Sequence, residues 1–258
     1  MRFNSFIRTF ITCAAGLSSA CAYTIPSTQK ATVKECKVPA DQANTFLGEW
    51  MLSPLPIAFA AGHFSDFEKG EIKKGLDVWN AHFTKARAVA VFDYNQQAGP
   101  SQAPAPSQLC RQGIVDGKQF TNLITIYKQG VWEDSLKNVI AITSTCPSLD
   151  PKLPKFTNAM MELNYQNFFV TDRKPDLASI IVHELGHLAG LNHSCEDSGT
   201  NPYGLPVPSC KDPALPLDYF EAVMYPTVSF SNGVGVSKMK VNKNDQGRAN
   251  CLFNAAGA

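Results

Sequence analysis

The sequence predicts a single α+β domain, and three observations carry that reading. Its elements run in the order strand, helix, four strands, helix, loop, helix. No linker divides the 258 residues, a length that suits one large domain. Hydrophobic residues make up 44%, enough to bury a sizeable core.

The elements follow from periodicity. Leu55 to Ala61 is short, apolar and bounded by prolines, and reads as a strand. Phe67, Ile72, Leu76, Trp79 and Phe83 recur near the helical period, so a helix is expected from Phe67 to Phe83. Ala86 to Tyr94 alternates toward a strand, and Gly99 to Ser107, with three prolines, reads as a surface loop. Leu123 to Tyr127, Val139 to Ser144 and Ala159 to Leu163 are further strands, with a proline-broken loop from Cys146 to Pro154. Leu177 to Ala189 predicts a helix capped by Asp176. The chain from Leu191 to Phe220 is loop-like, and a last helix is expected from Asn242 to Phe253.

The N-terminus reads as an export signal over residues 1–22, followed by a segment over 23–48 and the main domain over 49–258. Arg2 and Arg8 precede a short apolar stretch, and Ala20-Cys21-Ala22 fits a small-x-small cleavage site, so a secreted or periplasmic protein starting near Tyr23 is expected. A lipid anchor through Cys21 is disfavoured, because Ser18 stands where a branched aliphatic residue is wanted. No segment is long and apolar enough for a membrane helix. Lys plus Arg number 23 against 22 for Asp plus Glu, so no single-sign field exists to gather nucleic acid or anionic lipid. Six cysteines remain beyond the signal: Cys36, Cys110, Cys146, Cys195, Cys210 and Cys251. An even number in an exported chain predicts three disulfides, with 15 pairings open. Cys195 with Cys210 would close a local loop, and Cys36 with Cys251 would tie the domain's two ends.

One helix carries the chemistry. Leu177 to Ala189 is apolar nearly all round, as in buried helices, yet holds His183, Glu184 and His187. Burying ionisable groups is costly unless they are paired or bind a metal. His183 and His187, four apart, share one face. Gly190 can take the left-handed conformation that ends a helix and brings His193 back toward them. Three imidazoles with an open fourth position suit one catalytic zinc, whereas structural zinc sites are closed by four protein ligands. Glu184, beside the first ligand, is the candidate general base.

The stretch His183-Glu-Leu-Gly-His-Leu-Ala-Gly-Leu-Asn-His193-Ser194 resembles the metzincin metalloproteases, and within them the matrixin, or matrix-metalloproteinase, branch. Val223-Met224-Tyr225-Pro226 looks like that branch's methionine turn, with Met224 packed beneath the metal. Asp176-Leu177-Ala178-Ser179, Met161-Glu162-Leu163-Asn164 and Asn244-Asp245-Gln246-Gly247 agree as well, so the similarity covers roughly residues 50–254. It implies a zincin-like domain with a twisted five-stranded mixed sheet, an active-site helix and a smaller C-terminal subdomain. It also implies a peptide substrate pairing with the strand near Val139 to Ser144, and pocket residues at Pro226, Thr227 and Val228. The chain departs from the branch in having only His63 and His82 outside the motif, too few for its structural zinc. Calcium ligands cannot be assigned, and Pro226 occupies the place of the tyrosine ligand found in other branches. Cys36-Lys-Val-Pro-Ala-Asp41 is faintly similar to the family's inhibitory cysteine segment but lacks its Arg and Gly, so the disulfide reading of Cys36 is preferred.

The expected function is that of a secreted, monomeric zinc endopeptidase acting on proteins or peptides. The alternatives are a non-catalytic, zinc-stabilised peptide-binding protein, which would have no need of Glu184, and a metzincin protease of another branch. Asn192-His193-Ser194 is a glycosylation sequon by pattern, but a glycan beside a ligand would obstruct the cleft.

Overall fold

Short runs of branched and aromatic residues build the central sheet. In chain order the elements are β1 (Leu55–Phe59), α1 (Asp66–Arg87), β2 (Phe92–Tyr94), α2 (Pro106–Gln112), β3 (Ile114–Val115), β4 (Lys118–Gln119), β5 (Ile124–Gln129), β6 (Ala141–Pro147), β7 (Phe156–Asn164), α3 (Leu177–Ala189), α4 (Leu217–Phe220), β8 (Phe230–Ser231), β9 (Val234–Gly235) and α5 (Lys243–Ala249). This computed structural model describes residues 36–253, apart from 51–52, 88, 96, 113, 116–117, 120–122, 148–154 and 171–173. The predicted signal, and residues 23–35 after it, lie outside the described residues.

Five strands form one mixed sheet in the order β2-β1-β5-β7-β6, as expected from the strand runs. The pairs β1–β2, β1–β5 and β5–β7 are parallel, and β6 runs antiparallel to β7 at the edge. Burial is nearly continuous along β1 and β7 because both faces of the sheet are covered. Ile126, Met161 and Leu163 face the main core with α1 and α3, while Tyr127, Met160 and Cys146 pack with Leu109 of α2. Alternate residues of one strand therefore serve two layers.

Helix α1 begins with a reciprocal cap: the Glu68 side chain accepts from Ser65 N at 2.8 Å, and Ser65 Oγ accepts from Glu68 N at 3.3 Å. Ile72, Leu76, Trp79 and Phe83 form its buried face, but Phe67, which fits the same apolar pattern, is 75% exposed. The helix crosses α3 closely, since a β-carbon at Gly75 would lie 2.6 Å from Ile181 Cγ2. Two indoles fasten α3 at its backbone, Trp79 donating to Val182 O at 2.7 Å and Trp50 to Leu188 O at 2.6 Å.

Strands β6 and β7 are displaced or extended by up to three residues relative to the sequence reading, and three boundaries differ more. The predicted strand from Ala86 shrinks to β2, because α1 continues to Arg87 and only three residues pair with β1. The Asn80 side chain accepts from Val91 N and Phe92 N at 3.0 and 2.9 Å, satisfying the chain as it enters. The proline-rich loop yields α2 from Pro106, a position where proline costs nothing since its missing N–H would be unpaired in a first turn anyway. The last helix ends at Ala249, not Phe253; Cys251 N and Leu252 N bond three residues back, to Arg248 O and Ala249 O, and the chain tightens into turns. The loop after Leu191 also contains the single turn α4.

The six described cysteines form three pairs: Cys36–Cys251, Cys110–Cys146 and Cys195–Cys210. Both pairings singled out from sequence are present, and three disulfides suit an extracellular protein. Residues 36–48 are integral to the domain. Leu47 N donates to Gly190 O at 2.8 Å, and Asn192 N to Thr45 O at 2.8 Å, so this segment clasps the turn that follows α3. Cys36 is engaged in its disulfide, which leaves no free thiol at that position. We predict that Cys36→Ala lowers stability by about 2–5 kcal/mol without raising activity per folded molecule. Paired denaturant melts and rate measurements check this, and a rise in specific activity would contradict it.

Candidate metal centre

Helix α3 is placed from both ends. Asp176 caps it, its carboxylate accepting from Ser179 N at 2.8 Å. Gly190 closes it at φ +117°, and a β-carbon there would strike Gly48 O at 2.2 Å, so only glycine fits. Leu191 N then bonds back to Gly186 O at 2.9 Å. That reversal carries His193 toward His183 and His187, as the spacing predicts. Ligand nitrogens of the three imidazoles lie within 4.8 Å of one another.

Each imidazole is oriented by an oxygen on its outer nitrogen. His183 Nδ1 donates to Val223 O at 2.8 Å, His187 Nδ1 to Leu191 O at 2.9 Å, and His193 Nδ1 to Glu196 Oε1 at 2.7 Å. Carbonyl and carboxylate oxygens only accept, so Nδ1 carries the proton and Nε2 keeps its lone pair. His187 Nε2 and His193 Nε2 thus present two lone pairs to each other at 3.2 Å. A cation between them resolves that repulsion. Tetrahedral zinc with Zn–N bonds of ~2.0–2.1 Å would space two ligands by about 3.3 Å, close to the separation of this pair. Burial, then the neighbouring charges of His193 and Lys238, push His183 down to about 3; burial and its two histidine neighbours hold His187 well below its ordinary value. Both rings are thereby kept in the neutral form that ligates. Among the described residues this is the one group of three or more such side chains that could hold a metal ion. His63 is otherwise engaged, accepting from Lys128 N at 3.0 Å and facing Ser101 O at 2.7 Å.

Glu184 is 6% exposed beside this cluster. Burial raises its carboxyl to about 7, against a lowering by the Thr143 hydroxyl and by His193. Thr143 Oγ1, on the edge strand β6, donates to Glu184 Oε2 at 2.6 Å. No bond to Oε1 forms among the described residues.

Met224 is fully buried beneath α3. A β-carbon at Gly186 would lie 2.1 Å from its sulfur and 3.2 Å from Trp79 Cζ2, which explains the glycine between Leu185 and His187. The turn is held from α5: Asp245 accepts from Val223 N at 2.8 Å and Met224 N at 3.3 Å. Val223 O in turn receives His183, so Asp245 orients a ligand through one peptide. Arg248, one turn further along α5, donates to Asn192 O at 2.8 Å and His193 O at 3.3 Å. Gln42 donates to Ser194 O at 3.0 Å from the N-terminal segment.

Thr143, Glu196 and Arg248 have no place in the sequence motif. Thr143 and Arg248 reach the site only through the fold. Glu196, three residues after His193, has a local signal in its spacing, but the conformation of a non-helical loop decides whether the two meet.

A cavity of about 700 Å³ opens over the three histidines and Glu184. Val139 to Thr143 form one side of it, and Pro226, Thr227 and Val228 lie on its lining. Asn192 is 3% exposed, so its sequon is inaccessible in the folded chain. Compared with protein-family models and with curated proteins, the chain has no match.

Proposed function

We propose that this chain is an exported zinc endopeptidase of the metzincin type, closest to the matrixin branch. One observation carries the reading: three imidazoles, each anchored through Nδ1, gather ligand nitrogens within 4.8 Å of one another beside a buried carboxylate. His183, His187 and His193 would hold the zinc, which supplies Lewis-acid activation of water and of a peptide carbonyl when bound.

The remaining work falls to the chain's own groups. Glu184 Oε1 takes the proton of the attacking water and delivers it to the leaving amine nitrogen. Thr143 holds the other oxygen, so the carboxylate keeps one orientation during transfer. The outer edge of β6, which pairs only with β7 among the described residues, offers its backbone to an extended peptide. Side chains of that peptide enter the cavity past Pro226, Thr227 and Val228. A binding module that keeps zinc for stability alone would have no use for a base held this way.

Metal analysis of the mature protein should find about one zinc per chain, and chelation should abolish cleavage of a broad peptide library. Cleavage that survives complete zinc removal would defeat the proposal.

A further inference from the structure

The cleft wall holds a cation without a carboxylate partner. Lys238 lines the cavity together with Ile180, Val223 and Tyr225, and it is the sole lysine or arginine among the described lining residues. It is half-buried and forms no ion pair among the described residues. Its ammonium donates to Phe220 O at 2.8 Å and sits 4.8 Å from the centre of the Tyr225 ring. An ammonium has three donors, so two remain for something else.

Nearby acids do not fill that role. Asp245 and Glu221 act on Lys238 only through space, and burial outweighs them in lowering its pKa. Asp245 is committed to the methionine turn and Arg248, while Glu221 is exposed. The acids on the cavity lining are also occupied, Glu184 with Thr143 and Glu196 with His193.

The lysine is fixed relative to the metal ligands. Lys238 N donates to Ser179 Oγ at 2.7 Å, and Ser179 Oγ donates to the cap Asp176 Oδ1 at 2.5 Å. That clasp lies in the first turn of α3, one turn before His183. A desolvated ammonium gains most from a charged acceptor, which binds about twice as strongly as a neutral one.

We propose that Lys238 selects substrates presenting an aspartate or glutamate side chain beside the scissile bond. This inference rests on the peptidase reading of the same cleft.

Matched peptides differing only in Glu against Gln at each position flanking the cleaved bond, and ending in a free acid or an amide, test it. The Glu form at one position should be favoured in kcat/KM by about 10- to 100-fold, the worth of one charge-assisted hydrogen bond. A preference for the free acid over the amide without one for Glu over Gln would overturn it. Lys238→Met keeps the stem against Tyr225 and should erase the preference, so that Glu and Gln peptides are cleaved at equal rates by that variant. Lys238→Glu should turn the preference toward lysine. Calorimetric titration of the same peptides into zinc-loaded Glu184→Gln should show the same ratio without turnover. If no peptide is cleaved but this binding preference holds, the peptidase reading fails and the carboxylate site stands. Equal binding and cleavage of Glu and Gln peptides and of acid and amide by the wild-type chain would overturn the inference, as would a preference that persists in Lys238→Met. The wild-type comparison decides the matter even where a variant does not fold.

Discussion

Replacing Glu184 with glutamine should lower peptide turnover by about 10²–10⁴-fold, the usual contribution of a positioned general base. Zinc content and melting temperature should stay close to wild type. Glutamine matches the carboxylate in shape and can still accept from Thr143, which now bonds Oε2 at 2.6 Å. What it loses is the ability to take a proton. The local chemistry favours a large effect, because Glu184 is 6% exposed and the Thr143 hydroxyl holds its carboxylate in one orientation. Steady-state rates with metal analysis on the same preparation check the outcome. A variant that keeps near-native turnover with full zinc would show that another group moves the proton.

The second large effect is expected at α5. Asp245 and Arg248 are both fully buried, with Arg248 Nη2 3.6 Å from Asp245 Oδ1. Asp245 holds the turn at Met224, and Arg248 holds the backbone of His193. Removing one partner leaves the other charge buried and uncompensated, which costs about 3–5 kcal/mol. Arg248→Met should therefore lower the melting temperature by about 6–20 °C, at ~2–4 °C per kcal/mol for a domain of this size. It should also weaken metal binding by about 10–100-fold, because the segment carrying His193 loses its support from Arg248. The double variant Asp245→Leu with Arg248→Met should recover much of the lost stability, since no charge is then stranded. It should not recover zinc affinity, as the methionine turn remains unsupported. A single substitution that costs under ~1 kcal/mol would show that neither group depends on the other.

What this sequence determined by itself was the part of the site built from near neighbours. The four-residue spacing of His183 and His187, the Asp176 cap and the Gly190 stop depend on helix geometry alone, and α3 appears with the boundaries they predict, Leu177–Ala189. Strand positions followed from apolar runs and alternation, and the five-stranded sheet has one strand within or overlapping each, the one expected from Ala86 reduced to Phe92–Tyr94. Accuracy fell where packing decides. Whether Phe67 faces the core depends on what lies opposite, and nothing does. Pro106 breaks a strand or starts a helix equally well, and the packing of Leu109 against Tyr127 and Met160 selects the helix. Only the tertiary structure brought Thr143 to Glu184 across 41 residues of sequence, Asp245 to the turn at Met224, and Lys238 to the cap of α3. Those contacts are made by single polar side chains, which impose no period on the chain. Their partners are chosen by the shape of the packed core, and that shape exists only once the sheet and helices have closed around it.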